Sequence, residues 1–395
     1  MTQERPRIPV RLKWFGLVLF CVFLIACSYA LLVMARSYPF YQHVKGGPQG
    51  LTASLHTGSP ELGYTGRPGS EGKQRMAPGW EVPLRYDESG FRVPLDRPPS
   101  STRPSILGLG CSFTFGAGCL AEETYLHVLA RGLGGRELNA AKCSYGLSQI
   151  VLQARDLIPR FHPDVVVVQY SSWLIDRAQS PFTESTYGKI PAPYFAPGAP
   201  GQPVIQPPFF TTRLFDLPLE KYRQSPAGIG DYLGFLTEVG GPLLLHEDRH
   251  MIGVLCGRAS GRIPPVETDR VAIVRAAYGE IHRLCQENDA AMVVLLLWAK
   301  SNPAELAEVE KLPGVLVVDG DRPLVEHLPE KTTGAYGRAY GHWRGDPPAL
   351  VDKHPNALAH RYLGEALLEA LAPGSPKRSG GSQEVRSPAT TTRSR

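Results

Sequence analysis

Gly110-Cys111-Ser112-Phe113-Thr114-Phe115-Gly116 follows directly on the apolar run Ile106-Leu107-Gly108-Leu109. A short buried strand that breaks at Gly-x-Ser presents a serine hydroxyl at the carboxyl edge of a sheet. Ligands of open α/β sheets bind outside that edge. Near the other end of the chain stands Asp352-Lys353-His354-Pro355-Asn356, just before a final amphipathic stretch. A serine early and an Asp/His pair late are the parts of a nucleophile, base and orienting acid.

Outward from the serine, strand and helix signals alternate. The patterns predict strands over 105–109, 137–140, 165–170, 291–298 and 315–318. They predict helices over 122–133, 148–161 (with Ser148 as N-cap), 269–288, 303–311 and 356–371. Residues 165–170 open with four consecutive valines, a β-branched run as in a strand buried on both faces. Alternating β and α with such strands predicts a three-layer α/β/α fold around a parallel sheet. Residues 180–262 interrupt the alternation as an insertion. Its first part, 181–218, is crowded with proline, glycine and aromatics such as Tyr187, Tyr194, Phe195, Phe209 and Phe210. It reads either as a lid or binding loop, or as an ordered surface excursion.

The N-terminus carries a membrane signal. Residues 14–35 form an uncharged, mostly apolar run, long enough for the roughly 20 residues of a spanning helix. Arg5, Arg7, Arg11 and Lys13 precede it. By the positive-inside rule residues 1–13 stay cytoplasmic and the body is exported. Leu24-Ile25-Ala26-Cys27 offers a lipobox-like alternative, with Cys27 lipidated, although the sequence stays apolar through Met34. Residues 36–80, rich in Gly, Pro and Ser, read as a flexible spacer. The folded domain is expected over 81–373, with a disordered Ser/Thr/Arg-rich tail over 374–395.

The chain has 395 residues and a formal net charge of +5, much of it at the two ends. No basic face argues for nucleic acid. The cysteines Cys21, Cys27, Cys111, Cys119, Cys143, Cys256 and Cys285 have no metal-type spacing and read as isolated thiols, with one disulfide of unassigned pairing as the alternative. No cofactor is expected.

The run 110–116 and the late Asp/His pair resemble the SGNH (GDSL-type) hydrolase family, in particular its bacterial membrane-anchored members, over residues 90–371. The family opens with Gly-Asp-Ser; here Cys111 stands in place of the aspartate. Gly90-Phe91-Arg92 looks like the lead-in to that block. Asn139-Ala140-Ala141-Lys142-Cys143-Ser144-Tyr145-Gly146 looks like the second block and implies Gly146 N–H as an oxyanion donor. The third block supplies an asparagine. Gln169-Tyr170-Ser171-Ser172-Trp173 matches its position but holds none, leaving Ser171 or Ser172 as substitutes. The last block usually reads Asp-x-x-His. Here Val351 holds the expected acid position and Asp352 lies only two residues before His354, with Asp346 or a bare Ser–His dyad as fallbacks.

The resemblance implies Ser112 as nucleophile, His354 as base, Asp352 as orienting acid, and an acyl-enzyme resolved by water or by a sugar hydroxyl. It implies an esterase or O-acyltransferase, with an acyl ester, such as an acylated polysaccharide, as substrate. The departures from the pattern leave a catalytically weakened binding or assembly protein as the alternative. A third reading comes from His246-Glu247-Asp248-Arg249-His250, which fits His-Glu-x-x-His. On a helix the two imidazoles share a face and can bind zinc, with Glu247 as base. Against a zinc peptidase stand two charges inside the motif, Cys256 where a third histidine is wanted, and Gly240-Gly241-Pro242 just upstream.

Overall fold

Five strands form the parallel part of the sheet in this computed structural model: β1 (Ser105–Leu109), β2 (Arg136–Asn139), β3 (Val165–Tyr170), β4 (Ala291–Leu296) and β5 (Leu316–Asp319). The structure describes residues 10–46, 50–51, 55–77, 79–96, 102–185, 188–298 and 302–372. The strand order is β2-β1-β3-β4-β5, all neighbours parallel. This doubly wound order reverses between β1 and β3, where such sheets open a crevice at their carboxyl ends.

The sheet is held by two apolar layers that read off the strand period of two. Leu107, Leu109, Val166, Val168, Val294 and Leu296 point to one face, with Ile150, Ala154, Ile273 and Ala277 from the helices Leu147–Phe161 and Arg270–Glu287. Ile106, Val165, Val167, Val293 and Leu295 point to the other, against Leu126, Leu129, Leu363 and Leu367 from the helices Tyr125–Gly132 and Ala357–Leu371. Each such fully buried aliphatic side chain contributes about 1.5–3 kcal/mol.

The expected elements are present with shifted ends, and local chemistry explains the shifts. Ala121–Glu123 is a single 3₁₀ turn, because Thr124 caps the α-helix that starts at Tyr125. Gly146, not Ser148, is the N-cap of the next helix; Ser148 Oγ instead donates to Pro193 O at 2.7 Å. Asp269 and Asn356 cap their helices with side-chain oxygens, as Asx residues do.

The stretch expected to be a flexible spacer is structured in its described part. The N-terminal helix runs unbroken over Val10–Gly46, and Ser37, Tyr41 and Val44 are buried. Tyr41 and Val44 pack on Tyr222, Phe235, Val239 and Leu243 of the insertion. Next come a hairpin (His56–Ser59 with Gly63–Gly66) and the strand Glu71–Ala77. That strand extends the sheet antiparallel through Trp80–Tyr86 and Arg92–Val93 to β2. Its glycines made the region look unstructured. Gly63 and Gly69 sit at positive φ in turns, and a few widely spaced residues, Leu55, Tyr64 and Met76, are enough to seat it on an existing core.

The described residues of 181–218 are likewise ordered, Tyr187 lying outside them. Two hairpins, Phe182–Ser185 with Gly188–Pro191 and Tyr194–Ala199 with Gln202–Gln206, bury Ile190, Tyr194 and Phe195. The helices Leu219–Gln224, Ile229–Phe235 and Gly241–Ala259 complete the insertion. The tail expected over 374–395 lies outside the described residues. Segment 14–46 is long and apolar enough to cross a membrane by length and composition, a test that signal sequences also pass.

Candidate active site

The chain leaves β1 at Gly110, where a Cβ would stand 2.1 Å from Thr114 Oγ1 and 2.7 Å from Gln169 Oε1. Only glycine lets the backbone turn here. Ser112 opens the short helix Ser112–Phe115, which ends at Gly116 in the left-handed conformation. Gln169, in the otherwise apolar β3, pins this turn. Its Oε1 accepts the Cys111 N–H at 3.0 Å and the Thr114 hydroxyl at 2.8 Å. Its Nε2 donates to Ser171 Oγ at 2.9 Å and lies 3.2 Å from Cys111 Sγ. Arg92, fully buried, braces the far side by donating to the carbonyls of Phe115, Gly116 and Cys119. The lead-in Gly90-Phe91-Arg92 is thus a clamp on the nucleophile turn.

The late segment arrives from the opposite side. The hairpin His342–Arg344 with Ala349–Asp352 delivers Asp352 to the start of the last helix. Asn356 anchors that start, accepting Ala359 N–H and donating to the carbonyls of Ala339 and Gly341. His354 Nε2 lies 2.9 Å from Ser112 Oγ, and His354 Nδ1 lies 2.7 Å from Asp352 Oδ1. With a carboxylate at Nδ1, the proton resides there and Nε2 accepts from the serine. Asp352 reaches the ring from two residues away because the same Oδ1 also accepts the His354 backbone N–H at 2.7 Å, folding the carboxylate back in an Asx-type turn. Burial works against the Asp352 carboxylate, but these hydrogen bonds and the neighbouring imidazoles more than offset it, leaving its pKa below the usual value. Asp346 is exposed on the hairpin turn, and the acid at His354 Nδ1 is Asp352.

Ser112 and His354 open onto a cleft of about 480 Å³. Its walls include Phe113, Trp173, Arg177, Trp298 and Val351. Phe113 packs on Trp173, Trp298 and His354 with ring centroids 5.2, 5.5 and 5.4 Å away. Trp298 holds a left-handed backbone conformation, φ 48°, where β4 was expected to continue. Its N–H bonds Asp321 and its indole N–H bonds the Tyr336 hydroxyl at 2.7 Å. A non-glycine residue there costs on the order of 1–3 kcal/mol, and the turn aims the indole over the cleft. No described residue of the insertion lines the cleft.

The expected oxyanion residues are not brought together. Gly146 N–H donates to Gln149 Oε1 at 2.8 Å, a capping interaction that occupies it. Ser171 Oγ is buried, donating to Leu297 O at 2.7 Å and accepting from Gln169. Ser172 starts a helix, its carbonyl held by Arg270, and is not among the cleft-lining residues. Sequence reasoning missed Gln169, Arg177 and Trp298. A lone glutamine in a valine run was a readable sign, because a buried amide demands partners. Arg177, half-buried and bonded to Tyr145 O at 3.1 Å, gave none.

His246 and His250 do share a helix face, 4.5 Å between ring centroids. The helix Gly241–Ala259 accommodates Pro242 in its first turn, so the upstream glycines and proline do not shorten it. The rings are otherwise engaged: His246 Nε2 meets Thr211 O at 3.1 Å and His250 stacks on Phe210. Among the described residues no group of three His, Cys, Asp or Glu is placed to hold a metal. All seven cysteines are free.

No known family profile matches the sequence. No curated protein matches it either. Solved structures do match. A G-D-S-L family protein from Desulfitobacterium hafniense DCB-2 is 12% identical, covering 68% of this chain and 100% of its own, with a TM-score of 0.32. An acetylxylan esterase mutant from Geobacillus stearothermophilus is 12% identical, covering 71% and 99%, with a TM-score of 0.33. A family two carbohydrate esterase from Clostridium thermocellum is 13% identical, covering 75% and 71%, with a TM-score of 0.31. These likenesses concern the fold alone.

The fold is a doubly wound α/β sheet in which the serine follows β1 and the Asp/His pair precedes the last helix, so both meet at the carboxyl end of the sheet beside the β1/β3 switch point.

Proposed function

We propose that this chain is a membrane-anchored serine esterase or O-acyltransferase whose body lies outside the cytoplasm and whose chemistry runs through an acyl-enzyme on Ser112. The observation that carries the reading is the continuous Ser112–His354–Asp352 hydrogen-bond chain, 2.9 and 2.7 Å.

In the proposed reaction Ser112 Oγ attacks the ester carbonyl as its proton passes to His354 Nε2. Asp352 holds the imidazole by Nδ1 and stabilises the imidazolium. Collapse of the tetrahedral intermediate breaks the C–O bond, and His354 returns the proton to the departing alcohol. Water or an acceptor hydroxyl then repeats the sequence on the acyl-serine. With Gly146 N–H bound to Gln149, the donors assigned to the oxyanion are the Ser112 backbone N–H and Arg177. A preorganised donor of this kind is worth about 10²–10³ in rate. The flat faces of Trp173 and Trp298 suit the apolar faces of sugar rings, which supports an acylated polysaccharide as substrate. The uncharged run 14–35 behind four basic residues supports the anchor and its orientation.

The test is hydrolysis of a short-chain aryl ester and of acetylated oligosaccharide by the full chain in detergent, beside Ser112→Ala. Turnover and a phosphonate adduct on Ser112, both absent from the variant, are expected. The occupied Gly146 N–H favours one second reading, a weakened binding protein. Tight oligosaccharide binding with no turnover and no adduct on a folded chain would select it.

A further inference from the structure

A second cavity, of about 160 Å³, lies apart from the catalytic cleft, and no described residue lines both. Ala140 and Lys142, just after β2, line it together with Gly90 and Phe91. The helix Leu147–Phe161 contributes Gln153, and Gln153 decides what the cavity can hold. This side chain is only 6% exposed, and its Nε2 donates to Ala140 O at 2.7 Å. Its Oε1 is buried and has no hydrogen-bond partner among the described residues. Turning the amide over would set oxygen against oxygen at Ala140, so the orphan atom is the acceptor. Buried polar atoms are satisfied in the large majority of native sites, so a donor belongs here.

Charged occupants fit poorly. Lys142 is buried, and its ammonium already donates to the carbonyls of Gly90, Ala140 and Ala141 at 3.0, 3.2 and 3.3 Å. Its three donors are thus taken, and none is left for an anion. The shared acceptor Ala140 O holds the ammonium within about 6 Å of the Gln153 amide, where it repels a cation. Among the exposed lining residues, Arg160 is paired with Asp156 at 3.8 Å on the same helix, and Glu61 adds a further acceptor. Leu62, Leu152 and Leu157 supply apolar surface. A neutral carbon frame with several hydroxyls meets both kinds of wall. The volume falls below the roughly 300–1,000 Å³ of drug-sized sites, leaving room for one small molecule.

We propose that this cavity binds a neutral, hydroxyl-rich small molecule, either a free polyol or a single sugar unit, with one hydroxyl donating to Gln153 Oε1. The inference goes beyond the ester chemistry proposed at Ser112 and does not depend on it.

The probe is a glucoside whose aglycone carries a diazirine, photolysed with the full chain in detergent at pH 6, where Lys142 is protonated. Peptide mass spectrometry maps the adducts. Labelling within residues 61–65 or 152–160 is expected, in the parent and in Ser112→Ala alike. Methyl glucoside or glycerol should suppress it, and the stronger of the two tells a sugar unit from a free polyol. Gln153→Leu should weaken the competing ligand about tenfold, the worth of one buried hydrogen bond. Glu61→Ala, at an exposed position, should weaken it several-fold with Tm unchanged. Labelling that neither variant moves overturns the inference. Adducts confined to the cleft around Trp173 and Trp298 overturn it and leave the Ser112 reading standing. No adduct at all means the cavity holds water only, and overturns it. Suppression by inorganic phosphate or spermidine, and not by glucoside or glycerol, makes the occupant an ion and also overturns it. A chain labelled here yet inert toward esters would refute the Ser112 reading alone.

Discussion

Replacing Asp352 by asparagine tests the charge of the orienting acid apart from its shape. Asp352 Oδ1 accepts both the His354 backbone N–H and ring Nδ1–H, each at 2.7 Å. An asparagine carbonyl can keep both bonds, so the ring and its tautomer stay in place and only the negative charge is lost. Two unit charges about 4 Å apart near a protein surface interact by about 4 kcal/mol, an upper value here because the His354 side chain is 29% exposed. A loss of about 2–4 kcal/mol of imidazolium stabilisation lowers kcat by about 30- to 1,000-fold. Asp352→Ala removes the turn as well and should fall further, with a lower Tm. The assay is single-turnover acylation by an aryl ester, with Tm measured beside it. An asparagine variant as fast as the parent, or no faster than the alanine variant, would refute the reasoning.

Three other outcomes follow from the geometry. Gln169→Leu strands the Cys111 N–H and the Thr114 hydroxyl, both of which donate to its Oε1; at about 1–3 kcal/mol per orphaned group, Tm should fall by about 5–15 °C, and an unchanged Tm in calorimetry would remove Gln169 as the pin of the turn. Arg177→Gln should lower kcat by about 10²-fold with little change in KM, and an unaltered kcat would take Arg177 out of the oxyanion assignment. Lys142 is fully buried and donates to the carbonyls of Gly90, Ala140 and Ala141, and burial lowers its pKa to about 7. Between about pH 7 and the ordinary lysine value near 10.4, the unfolded chain holds a proton the folded chain has shed, so this site makes stability rise with pH. Denaturant titrations between pH 7.5 and 9.5 should show a steeper rise for the parent than for Lys142→Met; parallel slopes would contradict the shift.

The parallel sheet was legible because Val165–Tyr170 and its neighbours are apolar runs that only a doubly covered strand accepts. Ser112, Asp352 and His354 were legible as residue types at element ends. What escaped was set by contacts distant in sequence. Leu55, Tyr64 and Met76 are too sparse to signal a folded extension until Tyr86 and the insertion supply the surface beneath them. Gly146 matched a motif position, yet Gln149 three residues on captures its N–H, a capping pattern that was present in the sequence. Trp298 continues an apolar run, and only the bonds to Asp321 and Tyr336 reveal that it turns out of the strand.

If the proposed anchor holds, the unbroken helix through Gly46 sets how far the body can reach from it. A disordered 45-residue linker would let the body wander through a sphere with a typical reach of about 35–40 Å. A stiff stem seated on Tyr222, Phe235 and Leu243 allows no such wandering. On the proposed reading, Ser112 would then sweep a single thin layer parallel to the bilayer, and a long polymer substrate would meet it only while passing through that layer.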